Sequence, residues 1–146
     1  MRKILVIHGP NLNLLGTREP EIYGKMTLKE INANLNKYAK NKKISLKIVQ
    51  TNWEGKIIDL IQKARGKFDG IIINPAAYTH YSIAIYDTIL AVGIPTVEVH
   101  LSNIYKREEF RRKSVITPAC VGQICGFGWR SYILAIEALI EILEKK

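Results

Sequence analysis

The 146-residue sequence predicts an α/β fold, a doubly wound parallel sheet of five strands. Three observations carry that expectation. Apolar patterns of period 2 and period 3.6 alternate along the chain, the mark of successive strand and helix units. Gly70–Asn74 is short, apolar and β-branched, as required of a strand covered on both faces. No repeat, low-complexity tract or linker interrupts the chain, so residues 1–146 read as one catalytic-size domain with one core. For so short a chain the expected strand order is 2-1-3-4-5, the flavodoxin-like arrangement.

Each element has its own reason. Lys3–Ile7 reads as a buried strand. His8–Met26 follows with neither period, and loops of that length in compact domains are usually functional or disordered. This one contains Arg18, Pro20 and Tyr23 between Gly16 and Gly24, so it reads as a lid hinged on two glycines. Thr27–Lys43 is helical, with Leu28, Ile31, Leu35 and Tyr38 on one face and a Thr27–Glu30 capping box at its start. Ile44–Gln50 alternates as a strand. Glu54–Arg65 is a helix with Ile57, Ile58, Ile61 and Ala64 inward, stopped by Gly66.

Beyond Gly70–Asn74, Tyr81–Val92 is helical and apolar nearly all round, which predicts a buried or subunit-contacting helix. Pro95–Val99 is the fourth strand and Val121–Cys125 a short fifth. Arg130–Glu144 closes the fold as a helix with Tyr132, Ile136, Leu139, Ile140 and Leu143 inward. Right-handed crossovers then place every strand's C-terminal end along one edge, where ligands bind in such sheets.

Composition excludes several classes. At 47% apolar and 24% charged residues the chain buries a proper core, so wholesale disorder is out. No uncharged apolar run reaches the roughly 18 residues of a membrane span. The apolar run Ile4–Ile7 ends at His8-Gly9-Pro10-Asn11, too early for a secretion signal, so the expected location is cytoplasmic. Cys120 and Cys125 have neither redox nor zinc spacing and read as small hydrophobes.

The balance of 22 Lys+Arg against 13 Asp+Glu, a formal +9, raises nucleic acid, acidic membranes and small anions as partners. Lys37, Lys40, Lys42, Lys43, Lys145 and Lys146 fall in helix-like stretches and read as solvated faces.

Three strand ends hold the candidate chemistry: His8–Asn13, Asn74–His80 and Glu98–Asn103. Hydrogen-bonding residues from separated parts of the chain converge there. The first loop has neither Gly-x-Gly-x-x-Gly nor a P-loop, which argues against dinucleotide binding and nucleotide hydrolysis. No Gly-x-Ser-x-Gly elbow is present. His8, His80 and His100 lack regular ligand spacing, so no metal is expected.

The string Gly9-Pro10-Asn11-Leu12-Asn13-Leu14-Leu15-Gly16-Thr17-Arg18-Glu19-Pro20-Glu21-Ile22-Tyr23-Gly24 closely resembles the signature of type II 3-dehydroquinate dehydratase. Asn74-Pro75-Ala76-Ala77-Tyr78-Thr79-His80, Glu98-Val99-His100-Leu101-Ser102-Asn103 and Arg107-Glu108-Glu109-Phe110-Arg111 extend the likeness, as does Gly126–Leu134. The resemblance implies a flavodoxin-like fold and a homododecamer of four trimers. It also implies elimination of water from 3-dehydroquinate to give 3-dehydroshikimate, without metal or organic cofactor. The reaction serves the shikimate route or quinate breakdown, of which aromatic biosynthesis is the commoner use and the expectation.

It assigns roles as well. Tyr23 would be the base that removes a proton beside the ketone. A free phenol titrates near 10, so holding it ionised at pH 7 costs about 4 kcal/mol, which a nearby guanidinium offsets. Arg18 is the residue the resemblance offers for that. Asn11 would steady the enolate through a held water. His100 would be the general acid for the departing hydroxyl.

Leu101 and Ser102 would hold the substrate carboxylate, and Asn74, His80 and Arg111 further ring-hydroxyl and carboxylate contacts. Asp87 would reach the site from a neighbouring subunit. Ala76 stands where glycine is common in the family, Tyr86 where arginine is, and Trp53 where serine or histidine is frequent. The reading from another class is a basic α/β nucleic-acid module without activity, separable by salt-dependent retention on DNA. The intact Tyr23 and His100 pair favours the enzyme, with no nucleic acid and no membrane as partners.

Overall fold

The computed structural model describes residues 1–145; Lys146, the last of the terminal lysines, lies outside them. The strands are β1 (Arg2–His8), β2 (Ile44–Gln50), β3 (Gly70–Asn74), β4 (Thr96–His100) and β5 (Gly122–Cys125). All pair in parallel in one sheet, in the order β2-β1-β3-β4-β5. The doubly wound, flavodoxin-like order is therefore the one the sequence predicts.

Strand ends differ by a residue from expectation. β1 gains Arg2 and His8, while β4 runs from Thr96 to His100 rather than from Pro95 to Val99. Backbone groups make the ladder, so a polar side chain does not end it. His8 pairs with Gln50 on one side and Asn74 on the other.

The helices are α1 (Pro20–Tyr23), α2 (Leu28–Asn41), α3 (Glu54–Ala64), α4 (Ile83–Val92) and α5 (Arg130–Glu144). Strand alternation divides the core between two faces. Ile4, Val6 and Ile72 point to one face and pack with Ile31 and Leu35 of α2 and Ile136 and Leu139 of α5. Leu5, Ile7, Ile71 and Ile73 point to the other and pack with Ile57 and Ile61 of α3 and Ile85 and Ile89 of α4. Both faces being covered explains why β1 and β3 carry no exposed side chain over their central residues. The capping box is present: Thr27 Oγ1 accepts from the Glu30 amide, and Glu30 Oε1 from the Thr27 amide.

Two expectations need correction. The His8–Met26 segment is not devoid of structure: it holds a 3₁₀ turn at Leu12–Leu14 and α1, and Leu12 and Leu15 are buried in the core. Two inward leucines at that spacing are too few to register as a period. Gly16 and Gly24 both have positive φ, 93° and 89°, which confines those turns to glycine-like conformations. The α4 helix starts at Ile83, because Ser82 caps it by accepting from the Ile85 amide. Of the two alternatives for this helix, burial all round within one chain does not hold: Ile83 and Leu90 stand exposed opposite Ile85 and Ile89. Among the described residues, no helix is long and apolar enough to cross a membrane.

His8, a candidate site residue at the sheet edge, is instead wholly buried between α2 and α5. Its Nε2 meets Asn32 Oδ1 at 2.9 Å and its Nδ1 meets the Tyr132 hydroxyl at 2.9 Å. Burial pushes the imidazole down from 6.5 to about 4, only partly opposed by the Asn32 bond. The unfolded chain then binds a proton at pH values where the folded chain does not. Stability is therefore complete above about pH 6.5 and is lost progressively as the pH falls towards 4. At about 1.4 kcal/mol per unit, the loss is about 3 kcal/mol. Urea titrations between pH 7 and 4 check this: His8→Gln should lack that part of the pH slope, and equal slopes would refute it.

Candidate active site

The C-terminal ends of β1, β3 and β4 open into a cavity of about 110 Å³. The first two loops meet closely. The Gly9 amide donates to the Asn74 carbonyl at 2.8 Å, and a Cβ on Gly9 would lie 2.8 Å from the Pro75 carbonyl. No larger residue fits there without moving backbone.

The lid supplies Arg18 and Tyr23. Arg18 Nη2 donates to Tyr23 Oη at 3.2 Å, and its guanidinium carbon lies 4.3 Å from the ring centre. A second guanidinium, that of Arg107, sits 5.2 Å from the same ring centre and donates through Nη1 to Ser102 Oγ at 3.3 Å. Two guanidiniums thus stand over the Tyr23 ring, and that of Arg18 also hydrogen-bonds its phenolic oxygen.

Strand β4 supplies His100, whose Nε2 lies 2.6 Å from Glu98 Oε2 with both residues buried. Residues two apart on a strand share a face, which brings the pair together. Glu98 is fully satisfied: Ser114 and Thr117 hydroxyls donate to Oε1, and Gln123 Nε2 donates to Oε2 beside His100. Burial pushes this carboxyl up, but the hydrogen bond and charge of His100, with the two hydroxyl donors, outweigh it. The group is held below its usual range. An ionised Glu98 takes the Nε2 proton of His100 as a hydrogen bond and leaves Nδ1 to exchange a proton with a substrate.

Strand β3 supplies Asn74, whose Oδ1 accepts the Ala76 amide at 3.1 Å and whose Nδ2 donates to Tyr132 Oη at 3.1 Å. His80, which lines the cavity, donates from Nδ1 to the Lys113 carbonyl at 2.8 Å. Asn11, Leu101, Ser102 and Arg111 complete the lining, with Asn11 at φ 69°. A cavity pairing a phenol under guanidinium charge with a carboxylate-backed imidazole fits removal of one proton and delivery of another.

The family model described as Dehydroquinase class II matches residues 2–140. The chain belongs to this family. The 3-dehydroquinate dehydratase of Geotalea daltonii is 60% identical over 143 residues, covering 98% of this chain and 99% of the relative. That of Carboxydothermus hydrogenoformans is 58% identical over 144 residues, covering 99% and 94%. The crystal structure of type II dehydroquinase from Butyrivibrio crossotus aligns with a TM-score of 0.93 at 52% identity, covering 94% of this chain and 97% of that one.

In this dehydroquinase the cavity gathers Asn11, Arg18, Tyr23, Asn74, His80, His100, Leu101, Ser102 and Arg111, all singled out from the sequence. Asp87 is not among them: it is exposed on α4 and does not line the cavity of its own chain. Two residues were missed as site members. Arg107 was legible only as part of a motif, because nothing local says it turns towards Tyr23. Glu98 carried a signal that went unread: it is a carboxylate flanked by Val97 and Val99 in a strand, two residues before a histidine.

The family departures also find their places. Ala76 lines the cavity at φ 53°, in the left-handed region where glycine is unstrained, so it belongs to the site. Trp53 is 75% exposed just before α3, and neither it nor Tyr86 lines the cavity.

Proposed function

We propose that this dehydroquinase converts 3-dehydroquinate to 3-dehydroshikimate and water on the route to chorismate and the aromatic amino acids. The observation that carries the reading is the shared cavity of Tyr23 under Arg18 and His100 backed by Glu98. Ionised Tyr23 takes the proton from the carbon beside the ketone, and the electron pair moves onto the carbonyl oxygen as an enolate. Arg18 and Arg107 balance the phenolate before this step. Asn11 steadies the enolate oxygen through a held water.

The enolate then collapses: the carbonyl re-forms, the carbon–carbon double bond closes and the carbon–oxygen bond breaks. Protonated His100 gives its Nδ1 proton to the departing oxygen, which leaves as water. Glu98 stabilises the imidazolium before that transfer and holds the ring in place. Tyr23 ends with a proton gained and His100 with one lost, so their exchange with solvent resets the site. Leu101, Ser102 and Arg111 hold the substrate carboxylate, and Asn74 and His80 its ring hydroxyls.

Residues 1–146 act as one catalytic domain, in the cytoplasm, within a dodecamer of four trimers. Supporting the assembly is the apolar outer face of α4, where Ile83 and Leu90 flank the exposed Asp87. Asp87 then serves the cavity of a neighbouring subunit.

Purified protein should consume 3-dehydroquinate with a rise in enone absorbance, and borohydride added with substrate should leave it active. Borohydride inactivation would point to a lysine imine and overturn the mechanism. Asp87→Ala and Tyr23→Phe proteins, each inactive, should regain activity when mixed under conditions that exchange subunits. No recovery in verified mixed oligomers would mean that each site is built from one chain.

A further inference from the structure

Four buried or half-buried polar side chains from four elements form a single directed chain behind the cavity. They are Asn32 of α2, His8 of β1, Tyr132 of α5 and Asn74 of β3. Neither the base, the acid nor the lid uses His8 or Tyr132. The direction of every bond follows from a fixed donor at one end, the Ala76 N–H, and a fixed acceptor at the other, Asn32 Oδ1 against His8 Nε2. The Ala76 backbone N–H donates to Asn74 Oδ1, so the other end of that amide, Nδ2, faces Tyr132 Oη at 3.1 Å as donor.

Tyr132 therefore accepts from Asn74 and spends its own proton on His8 Nδ1 at 2.9 Å. With Nδ1 accepting, the neutral ring carries its proton on Nε2 and donates it to Asn32 Oδ1 at 2.9 Å. His8 and Tyr132 are wholly buried, so the chain has no water to substitute for a lost partner. Burial also keeps the imidazole neutral at ordinary pH, which is the form that accepts at Nδ1.

We propose that His8 and Tyr132 are positioning residues that fix the amide of Asn74, leaving its second Nδ2 hydrogen aimed at a substrate oxygen. One Nδ2 hydrogen is committed to Tyr132, and the other has no partner among the described residues while Asn74 lines the cavity. A protonated His8 would donate to Tyr132 Oη from Nδ1. The phenol would then accept from both neighbours and its own proton would be left without an acceptor. The inference rests on the reading of Asn74 as a substrate contact, and its test separates the two.

The test is a double-mutant cycle on KM and kcat with Tyr132→Phe and Asn74→Ala, with thermal melts of all four proteins. Losing one positioned neutral hydrogen bond should raise KM by about five- to tenfold in Tyr132→Phe, with kcat little changed. In the Asn74→Ala background the same substitution should leave KM where Asn74→Ala put it, while its effect on the melting temperature persists. A merely structural tyrosine would raise KM by the same factor in both backgrounds, and that result overturns the proposal. So does an unchanged KM in folded Tyr132→Phe.

If Asn74→Ala alone leaves KM unaltered, the substrate contact itself is wrong and the positioning role falls with it. His8→Gln, which keeps a polar group beside Asn32, goes through the same cycle should Tyr132→Phe not fold. It must show the same loss of coupling for the proposal to stand.

Discussion

Tyr23→Phe is expected to lower kcat by about 10³-fold or more, the range lost when a general base is removed, while KM stays within a few-fold. The substitution deletes one atom, the phenolic oxygen. In this structure that oxygen's recorded partner is Arg18 Nη2 at 3.2 Å. The ring itself remains, with the Arg18 and Arg107 guanidiniums still within 4.3 and 5.2 Å of its centre, so the lid keeps its cation–π contacts. Tyr23 is half-buried at the end of the short α1 helix and packs beside the core, an apolar contribution that phenylalanine supplies equally well.

Fold and binding are therefore spared, and the loss falls on the chemical step. Steady-state kinetics with a thermal melt of both proteins make the measurement. A variant that keeps more than a tenth of wild-type kcat would show that some other group takes the proton.

Much of this was legible in the sequence, for reasons that differ by element. β3 could be read because its apolar, β-branched residues are covered on both sides, and α2 because its capping box and inward face are local patterns. The site could be read because long motifs sit at the ends of three strands that the topology must align.

What escaped was whatever depends on side-chain direction across the fold. His8 stands at the same edge as His100, yet it turns into the α2/α5 face and becomes part of the core. Alternation from Ile4 and Val6 puts it on that face; what no neighbour states is that Asn32 and Tyr132 wait there to satisfy it. Arg107 and Tyr132 reach their partners from 84 and 58 residues away or more in other segments, distances that no periodicity spans. The apolar pattern of α4 left burial in one chain and contact with a subunit open, because periodicity does not say what covers a face; the single chain leaves Ile83 and Leu90 exposed.

His100→Ala should separate the two proton transfers. Dehydration is expected to fall by about 10²- to 10⁴-fold, the usual contribution of a general acid. Proton abstraction should continue, because Tyr23 and Arg18 lie on the lid and share no recorded hydrogen bond with His100 or Glu98. With the acid gone, the enolate lacks a proton for its leaving oxygen and returns to the ketone instead. In D₂O a return carries deuterium whenever the proton on Tyr23 has first exchanged with solvent, so recovered 3-dehydroquinate should gain mass at the carbon beside the ketone faster than product appears.

The variant should also fold. The carboxylate of Glu98 loses His100 but keeps Ser114, Thr117 and Gln123 as donors, so it is not left bare in the interior. Mass spectrometry of the recovered substrate, set against enone absorbance in the same sample, decides the assignment. If deuterium uptake stopped together with dehydration, His100 would be needed for the first step, and the division of labour between lid and strand would be wrong.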